Sequence, residues 1–281
     1  MNSYRNATSS TEISIDASGS VGELWRDLWR YRSLLYFLTW RDILVRYKQT
    51  VIGVAWAVLP AILTTLIFSI VFGKFAHLSS DGAAYPVFVL AGTLPWGLFS
   101  SALSQSGNSL LANSHLISKV YFPRMIVPLS ALLVSLVDFL TSAVVLAALM
   151  LVYRVAPGIR LCALPLFLLL VLGAALGVGL WLSALNVRYR DVRYVIPFLV
   201  QLGLYLSPVG FSSHVVPARY QALYALNPMV GVINGFRWSL LGASASLDWT
   251  SVILAAGVVA ILLVSGLIYF RKVETTFADV I

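Results

Sequence analysis

The topology of this chain can be worked out from one short segment, ISKVYFPRMIVP (117–128), which lies between two long uncharged runs. The segment carries Lys119 and Arg124, with the aromatic residues Tyr121 and Phe122 between them, and two prolines interrupt it. A piece this short and proline-broken cannot cross a bilayer, and Lys and Arg accumulate in the cytoplasmic loops of membrane proteins. The sequence therefore predicts a cytoplasmic turn here, and this turn orients the spans on either side.

The composition excludes a soluble globule. The chain has 281 residues, of which 59% are apolar and only 11% charged, and its mean hydropathy is +0.88. A water-soluble domain could not bury that much apolar surface. The formal charge of +8 does not indicate nucleic-acid binding, because the basic residues form short clusters between apolar runs. The single cysteine, Cys162, excludes an internal disulfide, and no Cys and His set has the spacing of a metal site.

The N-terminal part divides into two segments. Residues 1–20 are rich in Ser, Thr and Asn and are predicted to be a disordered cytoplasmic tail. Residues 21–48 interleave charges with leucines and aromatic residues, which is typical of an amphipathic helix in the headgroup region. A solvated helix packed on a partner protein is the alternative. Thr39 followed by Asp42 resembles a capping box, so a second helix is expected to begin there.

The rest of the chain, residues 49–281, is predicted to be an all-α, polytopic membrane domain. Uncharged runs of about 20 residues are long enough to span a bilayer. Six spans are expected, at about 49–73, 87–111, 127–152, 162–185, 195–209 and 250–270. Between the fifth and sixth spans, residues 210–247 are too short and broken to cross, which favours re-entrant or interfacial helices on the outer side.

The distribution of basic residues supports this topology. Of the nineteen Lys and Arg residues, fourteen fall in segments predicted to be inside, and five fall outside. The five are Lys74, Arg154, Arg160, Arg219 and Arg237. This bias predicts that both termini are cytoplasmic.

The third span contains one charge, Asp138. It lies about a dozen residues from the cytoplasmic end of this span, which at 1.5 Å per residue places it near the bilayer centre. An ionisable group at that depth is costly and indicates function by default. One hypothesis is a proton-coupled carrier that uses Asp138. The alternative is a carboxyl group that fixes helix packing, bonded to Ser135 or Thr141.

The fourth span contains a motif of small residues that is typical of helix packing in membranes. Gly173 and Gly177 form a GxxxG step in the fourth span, which predicts a close approach by another helix.

The phosphate-loop motif GxxxxGK[ST] is absent, as are HExxH, CxxC and GxSxG. A membrane-embedded enzyme is disfavoured, because the acidic residues are too few and too scattered to form paired carboxylates. No catalytic residue, cofactor site or metal site is predicted, so energy must come from elsewhere.

Four blocks together resemble one family. They are RDILVRYKQTVIGVAW (41–56), LPWGLF (94–99), ISKVYFPRMIVP (117–128) and NVRYRDVRYVIPFLVQLGLYLSPV (186–209). They look like the permease subunit of ABC-2 type exporters of lipid-linked polysaccharides, a group that includes O-antigen, teichoic acid and capsule permeases. The match runs in the family's order from about residue 22 to the end.

The resemblance implies a homodimer that binds two copies of a separate ATPase subunit, which would hold ATP and Mg²⁺. The substrate would be an undecaprenyl-diphosphate-linked glycan, most simply O-antigen, exported across the bacterial inner membrane. Capsule and teichoic acid export are the alternatives. Broken helices at 212–236 would form the outer gate.

The resemblance also assigns roles to residues of this sequence. Contacts with the ATPase would come from Ser118, Lys119, Tyr121, Phe122, Arg124, Arg188 and Arg190. Arginines beside the lipid diphosphate would be Arg26, Arg30, Arg41 and Arg46. Aromatic faces along which sugar rings could slide would be Trp56, Tyr85, Phe88, Trp96 and Phe99, although an ordinary interfacial belt is the alternative for each of them.

Overall fold

The structure is a computed structural model that describes residues 21–48, 55–189, 191–242, 247–274 and 277. The predicted tail, residues 1–20, lies outside this part of the chain. The α-helices are α1 (Val21–Arg30), α2 (Arg32–Lys48), α3 (Ala55–Phe68), α4 (Tyr85–Ala112), α5 (Ser114–Lys119), α6 (Ile126–Val152), α7 (Leu164–Arg188), α8 (Val192–Leu206), α9 (Ala218–Tyr224), α10 (Pro228–Leu241) and α11 (Trp249–Glu274). A π-helical stretch, Ser69–Phe75, extends α3, and short 3₁₀ turns occupy Ile159–Ala163 and Ser213–Val215.

In the part of the chain that the structure describes, five helical segments are long and apolar enough to cross a membrane: Val58–Phe75, Tyr85–Ala112, Ile126–Val152, Ile159–Arg188 and Trp249–Glu274. They coincide with five of the six predicted spans, so the chain is an all-α, multi-pass membrane protein. The remaining span corresponds to α8, whose 15 residues extend about 22 Å. That is shorter than the roughly 30 Å hydrocarbon core. The count of six therefore stays a prediction.

The bundle is assembled around α4. This helix packs against α6 and α7 most extensively and also contacts α3, α8 and α10. Its residues from Val87 to Trp96 are all buried, so every face of this part of the helix is covered by other helices. A helix that is apolar on all sides is typical of the centre of a bundle. In contrast, α3 lies at the periphery and exposes most of its apolar side chains.

The glycines of the predicted GxxxG step lie where α7 meets α11. A Cβ on Gly177 would come within 2.7 Å of the backbone of Leu262 and Leu263, and one on Gly173 within 2.9 Å of Val259. The two helices therefore approach closely only because these positions have no side chain. The predicted close contact is confirmed, and the partner is a helix of the same chain.

Between α8 and α11, the chain folds into three short helical pieces. Asn227 caps α10, because its Oδ1 accepts from Met229 N at 3.0 Å, and Pro228 occupies the first turn. Most of α10 is buried against α4, α7 and α11. The sequence predicted short, broken helices over residues 210–247, and the structure shows them. Arg237 lies on α10 and is only 3% exposed.

The N-terminal segment forms two helices, and the break falls at Tyr31. The expected helix start at Thr39 was wrong. Thr39 lies in the middle of α2, where its Oγ1 donates to the carbonyl of Leu35 at 2.8 Å rather than capping a new helix. From there α2 packs along α6, with Leu38 buried.

Candidate functional site: an exposed basic segment and a midplane cavity

The first part of the site is the segment between α4 and α6. α5 ends at Lys119, and Ser118, Lys119, Val120 and Tyr121 are all exposed. Tyr121 is 70% exposed and Val120 51%. These four residues form a continuous basic and aromatic surface, which we call the docking segment. The end of the bundle that carries it is called the α5 end.

The next residues of the segment point inward. Phe122 is only 4% exposed and belongs to a buried cluster with Ile126 of α6, Leu180 of α7 and Phe270 of α11. A partner protein cannot contact this ring directly. The structure therefore places Phe122 in the core of the α5 end, in place of the predicted contact with an ATPase.

Arg124 is also occupied within the chain. Its main-chain N–H donates to Oε1 of Glu274 at 2.9 Å, and its guanidinium donates to the Glu274 carbonyl. The same guanidinium lies 5.8 Å from the ring centre of Phe277, which is fully buried. Arg124 thus ties the start of α6 to the end of α11.

The second basic loop follows α7. Arg188 is exposed, and its guanidinium lies over the ring of Tyr189 at 5.5 Å. Arg190 lies outside the described residues. Just before this loop, the buried Asn186 donates to Gly107 O at 3.0 Å and to Asn108 Oδ1 at 3.1 Å. The loop is thereby fixed to α4.

The second part of the site is a cavity of about 670 Å³ between α3, α4, α6 and α8. Its lining comes from the middle of α4 and the middle of α6, so it lies near half the depth of the bundle. Seven of its lining residues carry hydroxyl groups besides Tyr47: Thr64, Thr93, Ser100, Ser101, Ser104, Ser135 and Ser142. Trp96 contributes an aromatic surface. Cavities of this size with a few convergent polar groups are common ligand sites.

An ion pair lies at this cavity. Arg46 of α2 donates through Nη1 to Oδ2 of Asp138, and Tyr47 donates its hydroxyl to Oδ1 at 2.5 Å. The Arg46 side chain is 37% exposed and that of Asp138 19%. Asp138 therefore has a charged partner, Arg46. This partner could not be found from the charges within the predicted spans. The two other expected partners bond elsewhere: Thr141 donates to the main-chain carbonyl of Asp138, and Ser135 accepts from Gln105.

The other three arginines assigned to a diphosphate lie apart from the cavity lining. Arg26 and Arg30 are exposed on α1. Arg41 donates to Asp42 and, at 2.8 Å, to Oδ1 of Asn113 at the end of α4. Of the four, only Arg46 lines the cavity.

The aromatic residues assigned to a glycan path separate into different environments. Trp96 lines the cavity, and Phe99 contacts it with ring centres 5.5 Å apart. Tyr85 donates its hydroxyl to Gly210 O at 2.7 Å, at the end opposite α5. Phe88 is 1% exposed and lies beneath the guanidinium of Arg237, so the structure places it in the core. The side chain of Trp56 lies outside the described part.

The predicted outer-gate segment is held by hydrogen bonds to its surroundings. Ser212 donates to Asp81 at 2.8 Å, and Asn234 donates to Ser213 at 3.0 Å. Arg237 donates to the carbonyls of Val209 at 2.8 Å and Phe211 at 3.0 Å. The segment that joins α8 to α9 is therefore anchored to α10.

Sequence reasoning missed the hydroxyl-lined cavity. A signal was present, since Ser100, Ser101 and Ser104 recur at helical spacing on α4, and Ser135 and Ser142 lie seven residues apart on α6. These positions fall on one face of each helix. The pairing of Arg46 with Asp138 had no local signal, because 92 residues separate them.

Comparison with known proteins agrees with this architecture. A family model described as ABC-2 type transporter matches residues 33–241. The O-antigen export system permease protein RfbA of Klebsiella pneumoniae is 28% identical over 249 residues, which cover 88% of this chain and 95% of that protein. RfbA of Myxococcus xanthus is 27% identical, covering 76% of this chain and 82% of its own length. The polysialic acid transport protein KpsM of Escherichia coli is 27% identical, covering 69% and 76%. The family match spans well over half of the sequence, and the chain therefore belongs to the ABC-2 type transporter family.

Proposed function

We propose that this chain is the membrane-spanning permease subunit of an ATP-driven exporter of a lipid-linked polysaccharide, with O-antigen as the main candidate. Export of capsule or teichoic acid is the alternative. Membership of the ABC-2 family and the export functions named for its relatives support this proposal. The structural observation that carries it is the exposed docking segment at one end of a bundle of long apolar helices.

The proposed assembly is a homodimer with two copies of an ATPase subunit on the cytoplasmic side of the bacterial inner membrane. ATP and Mg²⁺ bind in the partner, because this sequence has no phosphate-loop motif. Both termini are placed in the cytoplasm, on the same side as the docking segment. The exposed Arg188 at the end of α7 provides a secondary contact.

The buried neighbours of the docking segment explain how a push on it reaches the membrane. Phe122 and Ile126 share a cluster with residues of α4, α7 and α11. Close-packed interiors transmit displacement because they contain few voids to absorb it. A shift of α5 therefore moves the ends of several spanning helices together. The ATPase shifts the permease from one conformation to another if it binds the two conformations with different affinity.

The first prediction concerns Tyr121. Tyr121→Ala removes an exposed ring and leaves the core intact, so we expect ATP hydrolysis by the purified complex to continue while polysaccharide export falls at least tenfold. Export is measured by surface glycan in cells and hydrolysis by phosphate release. Tyr153→Ala is the matched control, because Tyr153 is also an exposed aromatic residue but lies beyond the opposite end of α6.

Two outcomes decide this prediction. Wild-type export by Tyr121→Ala, or an equal loss in Tyr153→Ala, would reject the docking segment. Phe122→Ala is expected to act differently, by lowering the stability of the whole bundle by about 3–5 kcal/mol.

A proton-coupled carrier that uses Asp138 is the competing function. It needs no ATPase, so deletion of the partner gene separates the two hypotheses. The proposed exporter loses all surface glycan in that strain, whereas the carrier retains it.

A further inference from the structure

The midplane cavity has an unusual charge arrangement. Among the described residues that line it, Arg46 is the single cation and Asp138 the single anion, while the others are hydroxyl-bearing or apolar. Each charge neutralises the other through a direct side-chain contact. Both side chains are only partly buried, so separating the pair does not leave a fully buried, unpaired charge.

The guanidinium of Arg46 has N–H groups that Asp138 does not use. A guanidinium carries five N–H groups, and only Nη1 is engaged by Asp138 among the contacts of the described residues. The side chain remains 37% exposed and lines the cavity. The planar fork of Arg suits phosphate oxygens, which it binds through two parallel hydrogen bonds.

Asp138 also has a second support. Tyr47 donates to its other carboxylate oxygen at 2.5 Å, and this contact does not depend on Arg46. The carboxylate can therefore release the guanidinium and still keep one hydrogen-bond donor.

We propose that Asp138 is the resident counter-ion of Arg46, and that the phosphate groups of a polyprenyl-diphosphate lipid displace it when that lipid passes through the cavity. This inference rests on the proposed export function. It singles out one of the four arginines, because Arg26 and Arg30 are exposed on α1 and Arg41 already donates to Asp42 and Asn113.

Displacement has a measurable consequence. While Asp138 holds Arg46, the phosphate groups cannot bind that guanidinium. The apparent affinity for the diphosphate is therefore the intrinsic affinity multiplied by the fraction of molecules in which Arg46 is free. Asp138→Asn keeps the shape and the contact with Tyr47 but removes the competing charge. The variant should therefore bind the anion more tightly than the wild type, the opposite of what is expected when a binding residue is lost.

The test uses the purified full-length permease in phosphatidylcholine nanodiscs, with radiolabelled farnesyl diphosphate as the probe. We expect Asp138→Asn to bind at least tenfold more tightly than the wild type and Arg46→Gln at least tenfold more weakly. Arg219→Gln, an exposed arginine on α9 outside the cavity, is the control and should bind as the wild type does.

Three results would overturn the proposal. Asp138→Asn could bind no more tightly than the wild type, which would show that the carboxylate does not compete. Arg46→Gln could retain full affinity. Nanodiscs of phosphatidylglycerol could abolish probe binding, which would assign Arg46 to bulk anionic lipid rather than to a transported one.

The experiment is independent of the ATPase. A permease that fails it can still lose export when the partner gene is deleted, so failure here is distinguishable from failure of the proposed export function.

Discussion

Arg237 shows how main-chain carbonyl groups satisfy a buried charge in this bundle, with no direct hydrogen bond to a carboxylate of the described residues. Its guanidinium donates to the carbonyls of Val209, Phe211 and, at 3.3 Å, Phe88, and it lies 3.6 Å from the ring centre of Phe88. Gly92 makes room for it, since a Cβ there would lie 2.7 Å from Nη2. The sequence placed this arginine among short helices on the outer side and did not predict its burial, because hydropathy does not show that main-chain carbonyl groups can satisfy a buried guanidinium.

A prediction at the residue scale concerns Asp248, which precedes α11. The Ser251 hydroxyl donates to its carboxylate at 2.5 Å, and this bond, together with those from the Thr250 and Ser251 N–H groups, lowers the pKa of Asp248. Because the folded pKa lies below the unfolded value of about 3.9, the stabilisation is complete above that value and is lost as the pH falls through the folded pKa. Asp248→Ala should cost about 1 kcal/mol at neutral pH.

Thermal unfolding of the detergent-solubilised protein between pH 7 and pH 3 measures this effect. Asp248→Ser is the control, since it keeps a capping oxygen without the charge. Its unfolding temperature should fall less than that of the wild type as the pH is lowered toward 3. A wild-type profile in Asp248→Ala would contradict the capping role.

At the scale of elements, the contact between α7 and α11 gives a sharp prediction. Gly177→Ala places a methyl group 2.7 Å from the backbone of α11, which cannot move like a flexible side chain. We expect a loss of about 1–3 kcal/mol in unfolding free energy, as is typical of overpacking. Gly257→Ala on α11 is the control, because its Cβ meets nothing within 4 Å and the change should stabilise the helix by about 0.5–1 kcal/mol.

Unfolding in mixed micelles with increasing sodium dodecyl sulfate measures both variants. Equal stability of Gly177→Ala and Gly257→Ala would show that the two helices can separate without cost.

The long helices were predictable because a bilayer imposes a length on any apolar run, and observed ends such as Ile126 and Val152 fall within a residue of the expected ones. The break at Tyr31 was not predictable, since no glycine or proline marks it and packing of α2 on α6 decides where it falls. Phe122 was misassigned for a related reason. Its aromatic neighbour Tyr121 has similar chemistry, and only the fold shows which ring is 4% and which 70% exposed.

At the scale of the whole molecule, one helical bundle carries two candidate sites. The docking segment lies at the α5 end, and the cavity with Arg46 and Asp138 lies near half the depth of the bundle. α2 connects them, since Leu38 packs in the cluster of the α5 end and Arg46 reaches Asp138. Such long-range pairings build the candidate site but leave no trace in local sequence patterns, which is why the fold was more predictable than the site.

The most direct test of the account is the orientation of the docking segment. Arg154 is exposed in the turn between α6 and α7, at the opposite end from Tyr121, and Arg154→Cys made together with Cys162→Ser provides a reference. A membrane-impermeant maleimide should label Arg154→Cys in intact spheroplasts. Tyr121→Cys, made together with Cys162→Ser, should be labelled only after the membrane is permeabilised. Labelling of Tyr121→Cys in intact spheroplasts would place the docking segment outside the cell and contradict its assignment to a cytoplasmic ATPase.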